Sequence, residues 1–138
     1  MREIEYRGYI VDEIDRQWVV NGYGVPVIEY VDGTKSYHLL TQRGDYHVYK
    51  ESIGQYTGIK DRNGQKIYEG DILRYYFTGG TYVDYSVKWI KEYCCFIAQV
   101  TNKIDTLSPT RWDKAEVVGN IFEIEYLPKY LWESEQEV

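Results

Sequence analysis

The sequence predicts a mainly β fold, a small barrel or sandwich of short strands, and three observations carry that expectation. The 138 residues include 16 Tyr, 4 Trp and 3 Phe, and aromatic side chains suit a pleated, half-buried surface better than a helix. Short alternating runs recur at close spacing. Glycine-centred turn signals separate them. The length is that of one domain or of two small subdomains, and 43% hydrophobic residues exclude a disordered chain.

Residues 2–10 alternate, with Ile4 and Tyr6 on one face and Glu3, Glu5 and Arg7 on the other, as a strand does. Residues 12–16 are polar and turn-like, and Gln17, Trp18, Val19 and Val20 read as the returning strand. Asn21, Gly22 and Gly24 punctuate the chain again. Residues 25–31 form the next strand, with Pro26 near its start, where a missing N–H is tolerated. Asp32-Gly33 is the strongest hairpin signal, so residues 35–40 pair back. A turn over residues 42–45 leads to a short strand at Tyr46, His47, Val48 and Tyr49. A subdomain boundary is expected here, giving an N-terminal β subdomain over residues 1–53 and a second over 54–138. No Ser/Gly/Pro-rich run separates the two, so they are expected to pack together.

In the second half, residues 71–77 read as a strand and Gly79-Gly80 as a turn. Val83, Tyr85, Val87 and Trp89 then alternate with Asp84, Ser86 and Lys88, the clearest half-buried strand of the chain. Residues 93–100 are more continuously apolar and predict a strand buried on both faces. Residues 101–110 are polar and contain Pro109, hence loop. Residues 116–122 read as a last strand. Pro128 breaks the chain before Lys129, Tyr130, Leu131 and Trp132, which form one helical turn or lie across the core.

The formal charge is −6, and most of it lies at one end. From residue 116 onward six glutamates face Lys129 alone, so that segment carries −5 and the rest about −1. A balanced body lacks the basic footprint that phosphate binding needs, so nucleic acid is not the expected partner. No apolar run approaches the roughly 18 residues of a membrane span. Met1-Arg2-Glu3-Ile4 leads into alternating sequence without an apolar leader, and a cytoplasmic location is expected. Cys94 and Cys95 are adjacent, a spacing that suits neither a metal site nor a disulfide framework. They read as small hydrophobes of a reduced protein, and on a strand they would point to opposite faces.

Asp61-Arg62-Asn63-Gly64 starts like a calcium loop, but the glycine comes early and Ile72 stands where the twelfth-position Glu belongs, so a tight turn is expected. Glu69 and Asp71 flank one turn and show no pocket that would split their pKa values. His38 and His47 lie in different strands without a Cys or carboxylate cluster, and neither has an obvious nucleophile partner. No serine sits in a Gly-x-Ser-x-Gly elbow. Gly22 and Gly24, and Gly79-Gly80, open no helix and are not phosphate loops. The sequence therefore predicts no catalytic, cofactor-binding or metal residue and no enzyme. Tyr56, Tyr75, Tyr76, Tyr82, Tyr85, Trp89 and Tyr93 could stack bases, with Arg74, Lys88 and Lys91 as the available cations. Use in the core or as interface anchors is the favoured reading.

The most specific stretch is Gly54-Gln55-Tyr56-Thr57-Gly58-Ile59-Lys60-Asp61-Arg62-Asn63-Gly64-Gln65-Lys66-Ile67-Tyr68-Glu69-Gly70-Asp71-Ile72-Leu73. Met1-Arg2-Glu3-Ile4 with Tyr6-Arg7-Gly8, and Glu116-Val117-Val118-Gly119-Asn120-Ile121-Phe122, flank it. Together these stretches resemble the YopX family, small proteins of phages and prophages. Lys50 departs from the pattern, since similar sequences often carry Pro there. The resemblance implies an SH3-type barrel in the C-terminal half beside a smaller N-terminal β region. The acidic C-terminal extension beyond Phe122 does not follow the family pattern closely. Gly70-Asp71 suits a strand entrance, a residue free of Cβ constraint followed by a short acceptor for backbone amides. No catalytic or binding residue comes with the family.

The expected function is a non-enzymatic phage or prophage accessory protein acting through protein–protein contact, as a homo-oligomer or with an unknown host or phage protein. Exposed strand edges offer a physical route to such contacts. The alternatives are a weak single-stranded nucleic-acid-binding module and an acidic decoy for a host DNA-binding protein.

Overall fold

The computed structural model describes residues 4–11, 16–100 and 105–136. The chain divides into two compact units, Met1–Tyr56 and Thr57–Val138. The expected turn at residues 12–16 and the first part of the 101–110 loop lie largely outside the described residues.

In the first unit, β1 (Tyr6–Tyr9) runs antiparallel to β2 (Trp18–Gly22) and to the opening residues of β6 (Gly54–Lys60), with Tyr6 opposite Gln55. A second sheet has the order β3 (Val27–Glu29), β4 (Lys35–Thr41), β5 (Gly44–Val48). Leu39 and Val48 are fully buried and anchor this unit's core, with Tyr9, Ile10 and Tyr56. Strand and sheet meet closely at glycine: a Cβ on Gly22 would stand 2.3 Å from a Leu39 methyl. Of the expected first strand, Tyr6–Tyr9 forms β1, Ile10 makes an isolated bridge to Val48 and Ile4 is exposed, while residues 2 and 3 lie outside the described residues.

In the second unit the rest of β6 neighbours β7 (Lys66–Tyr68). The main sheet is antiparallel in the order β11 (Thr106–Leu107), β10 (Cys95–Gln99), β9 (Tyr82–Ile90), β8 (Asp71–Tyr76), β12 (Glu116–Asn120). Tyr85 and Val87 turn one face of β9 inward as the alternation predicts and, with Ile67, Leu73, Ala98, Leu107, Trp112 and Ala115, make the core, against which the partly buried Val83 packs. The alternation fails at Trp89, expected inward but 44% exposed beyond the core's end, and at Ser86, which is buried on the other face.

This sheet is open, and the SH3-type barrel expected from the resemblance is not formed. Closure would require β11 and β12 to pair, with strand tilt and register to match; they remain the two edges. β11 has only two residues and runs into a 3-10 segment at Pro109–Lys114. The backbone at the other edge is already engaged. Val117 donates its N–H to Asp61 Oδ2 at 2.9 Å, and Arg62 donates to the Ala115 carbonyl at 2.9 Å.

Asp61 is the centre of the turn that the sequence identified. Its Oδ1 accepts the N–H groups of Asn63 (2.8 Å) and Gln65 (2.9 Å), and Gly64 supplies φ +80°. This is an Asx-type turn, in which a carboxylate replaces backbone acceptors. At the next turn Gly70 takes φ +94° and buried Asp71 accepts the Tyr68 N–H at 2.8 Å, as read from Gly70-Asp71. Burial pushes the neighbouring Glu69 carboxyl above its usual range. The two carboxylates thus have unlike environments, but Asp71 is committed to the backbone.

Three readings are corrected. β10 buries only Ala98 fully, so it is not a strand buried on both faces. Cys94 sits in a left-handed turn after Lys91–Tyr93, and both Cys94 and Cys95 are exposed rather than packed as small hydrophobes. Pro128 does not break the chain: a widened π turn over Phe122–Tyr126 leads directly into α1 (Leu127–Gln136). Proline clashes with the carbonyl four residues back, and the widened turn just before it relieves that contact. Asn120 caps the start by accepting the Glu123 N–H at 2.9 Å. Phe122 stacks with Tyr126 and Tyr130 along one side of this helix.

Candidate functional site

The three-stranded sheet of the first unit carries both a polar relay and an unprotected edge. Its register begins at the Asp32-Gly33 turn, where Asp32 Oδ1 accepts the Thr34 N–H (3.0 Å) and hydroxyl (2.6 Å). Those hydrogen bonds hold the Asp32 carboxyl below its usual pKa. Pairing then places Ile28 opposite Ser36, and His38 opposite His47.

Four side chains link across the strands. Tyr30 and Ser36 share a hydrogen bond of 3.1 Å between their hydroxyls, Ser36 Oγ meets His38 Nε2 at 2.8 Å, and His38 Nδ1 meets Asp45 Oδ1 at 2.9 Å. The His38 and His47 rings stack with centroids 5.4 Å apart. The sequence reading gave His38 no hydroxyl partner; the register supplies one. Ser–His–Asp contacts resemble a nucleophile relay, but Ser36 is 7% exposed and its oxygen is held by Tyr30 as well as His38. The arrangement clamps the end of β3 to β4 and β5.

The imidazole of His47, stacked on this clamp, is held below its ordinary pKa. Partial burial, and then the neighbouring His38, push the His47 pKa below its ordinary 6.5, with Asp45 acting in the opposite sense. A histidine held low stays neutral in the fold where the unfolded chain already takes up a proton. Its stabilising contribution is present above pH 6.5 and is lost as the pH falls through the depressed folded value. The urea midpoint should therefore drop between about pH 7 and about pH 5, with a smaller drop in His47→Gln. Equal slopes for the two proteins would exclude this role of His47.

The edge itself is β3. Val27 and Ile28 are 49% and 43% exposed although their side chains alternate across the strand, and Tyr30 and Val31 continue the apolar surface. Its inner hydrogen bonds run through even-numbered residues: His38 donates to the Pro26 carbonyl at 3.0 Å and Tyr30 to the Thr34 carbonyl at 2.8 Å. By antiparallel alternation the N–H and C=O groups of Val27 and Glu29 point outward. No strand among the described residues pairs there.

Three of the other edges are engaged or blunted. β5 is bridged through Ile10 and Val48, with Val11 donating to the His47 carbonyl at 2.9 Å. β12 is engaged by Asp61 and Arg62 as described. β2 carries an irregular register against β1 and a left-handed Asn21 (φ +63°), features that blunt an edge. It borders an open groove of about 740 Å³ walled by Trp18, Tyr23, Thr41, Arg43 and Tyr46.

The aromatic grid of the sequence reading is dispersed. Tyr85 is in the core and Tyr75 packs against it, whereas Tyr56 belongs to the first unit. Tyr76 and Tyr82 form an exposed edge-to-face pair at 6.0 Å. The cation beside them is neutralised: Arg74 makes two hydrogen bonds to Asp84, at 2.9 and 3.1 Å, and lies 4.0 Å from the Tyr82 ring centre. Arg62 covers Tyr76 and meets Glu116 at 3.3 Å. Trp89 packs edge-on against Phe96, and Tyr93, with Lys91, lies in the exposed 3-10 turn. Among the described residues no group of three or more His, Cys, Asp or Glu is placed to hold a metal ion.

These features sit in a chain whose residues 5–127 match the YopX protein family. The chain belongs to the YopX family. That span contains β1 to β12 and the π turn. No curated protein matches the chain. Among solved structures it is similar to protein EF1440 from Enterococcus faecalis, 19% identical, with a TM-score of 0.53 over 92% of this chain and 99% of that one. This likeness bears on the fold alone. The β3 edge, the relay behind it and the Asp61 turn all lie within the YopX-matched span. No helix among the described residues is long and apolar enough to cross a membrane.

Proposed function

We propose that this YopX-family chain is a non-enzymatic accessory protein of a phage or prophage, acting in the host cytoplasm by contact with other protein chains. One observation carries the reading: β3 presents outward backbone groups and apolar side chains on both faces, with no strand covering it among the described residues. Natural sheets blunt such edges unless another chain is meant to pair with them. The relay from Tyr30 to Asp45 holds the strand extended and ready to pair, which reduces the ordering required on contact. Arg74 and Arg62 engage carboxylates, which weakens the case for the Tyr76 and Tyr82 pair as a base platform.

The test is affinity capture of the tagged chain from host cells, with and without nuclease. A stoichiometric protein that survives nuclease and is lost from a Val27→Lys variant supports the reading, since lysine on an edge blocks strand pairing. Recovery that vanishes with nuclease would overturn it in favour of nucleic acid.

A further inference from the structure

We propose that the occupant of the β3 edge is β3 of a second copy, paired antiparallel about a two-fold axis through Ile28. The proposal rests on the reading of β3 as the contact strand and names its partner and register.

The outward hydrogen-bonding residues of β3 are Val27 and Glu29, so a two-fold pairing must set odd residues against odd residues. Three registers meet that condition near the strand. Centring on Glu29 sets two carboxylates face to face, which is repulsive. Centring on Val27 sets Glu29 against residue 25, which lies outside β3. Centring on Ile28 pairs Val27 of each copy with Glu29 of the other and uses every residue of β3. It forms four backbone hydrogen bonds and stacks the two Ile28 side chains at the axis.

Pro26, which lacks an N–H, does not interfere, because its carbonyl already faces inward to His38. Charge is compatible with a second copy and disfavours a strongly charged occupant. Between residues 25 and 31 Glu29 is the sole charged group, and Lys35 stands opposite it on β4. The edge therefore offers no cluster for a strongly basic or acidic partner, and its two-fold pairing sets no like charges opposite each other. The contact is isologous and closes as a dimer, joining two three-stranded sheets into one of six strands.

The experiment is sedimentation equilibrium on the full chain with Ile28→Glu, Ile28→Lys, and their equimolar mixture. Ile28 is 43% exposed, so both variants should keep the fold, checked by circular dichroism. Expected is a dimer for the unsubstituted chain and a dissociation constant raised at least about tenfold for each variant alone, since like charges then meet at the axis. The mixture should recover the dimer.

A second readout is disulfide cross-linking of Ile28→Cys in a Cys94→Ser, Cys95→Ser background, because opposed residues at a non-hydrogen-bonded antiparallel site lie within disulfide reach. Glu29→Cys in the same background should not cross-link. Dimerisation unaffected by either charge, or a mixture that stays monomeric, overturns the register while leaving the protein-contact reading intact. A chain that is monomeric at all concentrations overturns this inference, and the capture experiment then decides the broader reading alone.

Discussion

Trp112→Ala should lower the unfolding free energy by about 3–5 kcal/mol, the range for deleting a buried aromatic side chain. Trp112 is 1% exposed and sits among Ile67, Leu73, Tyr85, Val87, Ala98, Leu107 and Ala115. Its ring packs into the core on the inner face of the open sheet. The indole N–H also donates to the Leu107 carbonyl at 3.0 Å, tying the Pro109–Lys114 segment to the edge strand β11. Alanine removes the volume and the indole hydrogen bond to Leu107. Trp112→Phe keeps most of the volume and loses the hydrogen bond, so a loss of about 1–2 kcal/mol is expected. Urea titration with unchanged m reads both values. A Trp112→Ala loss within about 0.5 kcal/mol, the scale of a surface change, would show that the segment does not seal the core.

Asp61→Ala should cost about 3–4 kcal/mol through polar groups rather than volume. One carboxylate, 5% exposed, accepts three backbone N–H groups, from Asn63, Gln65 and Val117. Hydrogen bonds to a charged acceptor contribute about 1.5–3 kcal/mol each, with part of that recovered as water enters the loosened turn. Asp61→Asn retains an oxygen for the turn but sets an amide N–H₂ towards Val117 or the turn donors. It should lie between wild type and alanine. Amide exchange at Val117 separates the two parts of the role: protection there should fall sharply in Asp61→Ala, and in Asp61→Asn it reports whether the remaining oxygen serves Val117 or the turn. Unchanged protection of Val117 in Asp61→Ala would mean that the β12 edge is held without Asp61.

The chemistry of turns was legible because it is local. Asp61 with Gly64, Gly70 with Asp71, and Asp32 with Gly33 each place an acceptor or a positive-φ residue within four positions of the groups it serves. The β9 alternation was legible for the same reason, since one inward face imposes period two on Val83, Tyr85 and Val87. The C-terminal helix was misread by weighting Pro128 over the spacing of Phe122, Tyr126 and Tyr130, which recurs every four residues and stacks in the structure. That signal was present, and it indicates helix.

The candidate site was less legible. His38 and Asp45 are seven residues apart, and Ser36 neighbours His38 only because a strand puts alternate residues on one face. Their convergence depends on the register of two hairpins. Which edge stays open depends on every other element, since β5 is bridged by Ile10 and β12 is held by Asp61, 56 residues from its partner Val117.

By itself the sequence determined strand-forming segments, turn positions, the acidic C-terminal end and membership of the YopX family, all of which are written in short windows or in residue types. Tertiary structure alone decided that the sheet stays open, that Ser36, His38 and Asp45 meet, and that β3 is left with an exposed apolar edge. Those outcomes follow from strand register and from which distant backbone donor reaches a given acceptor, and no local window records either.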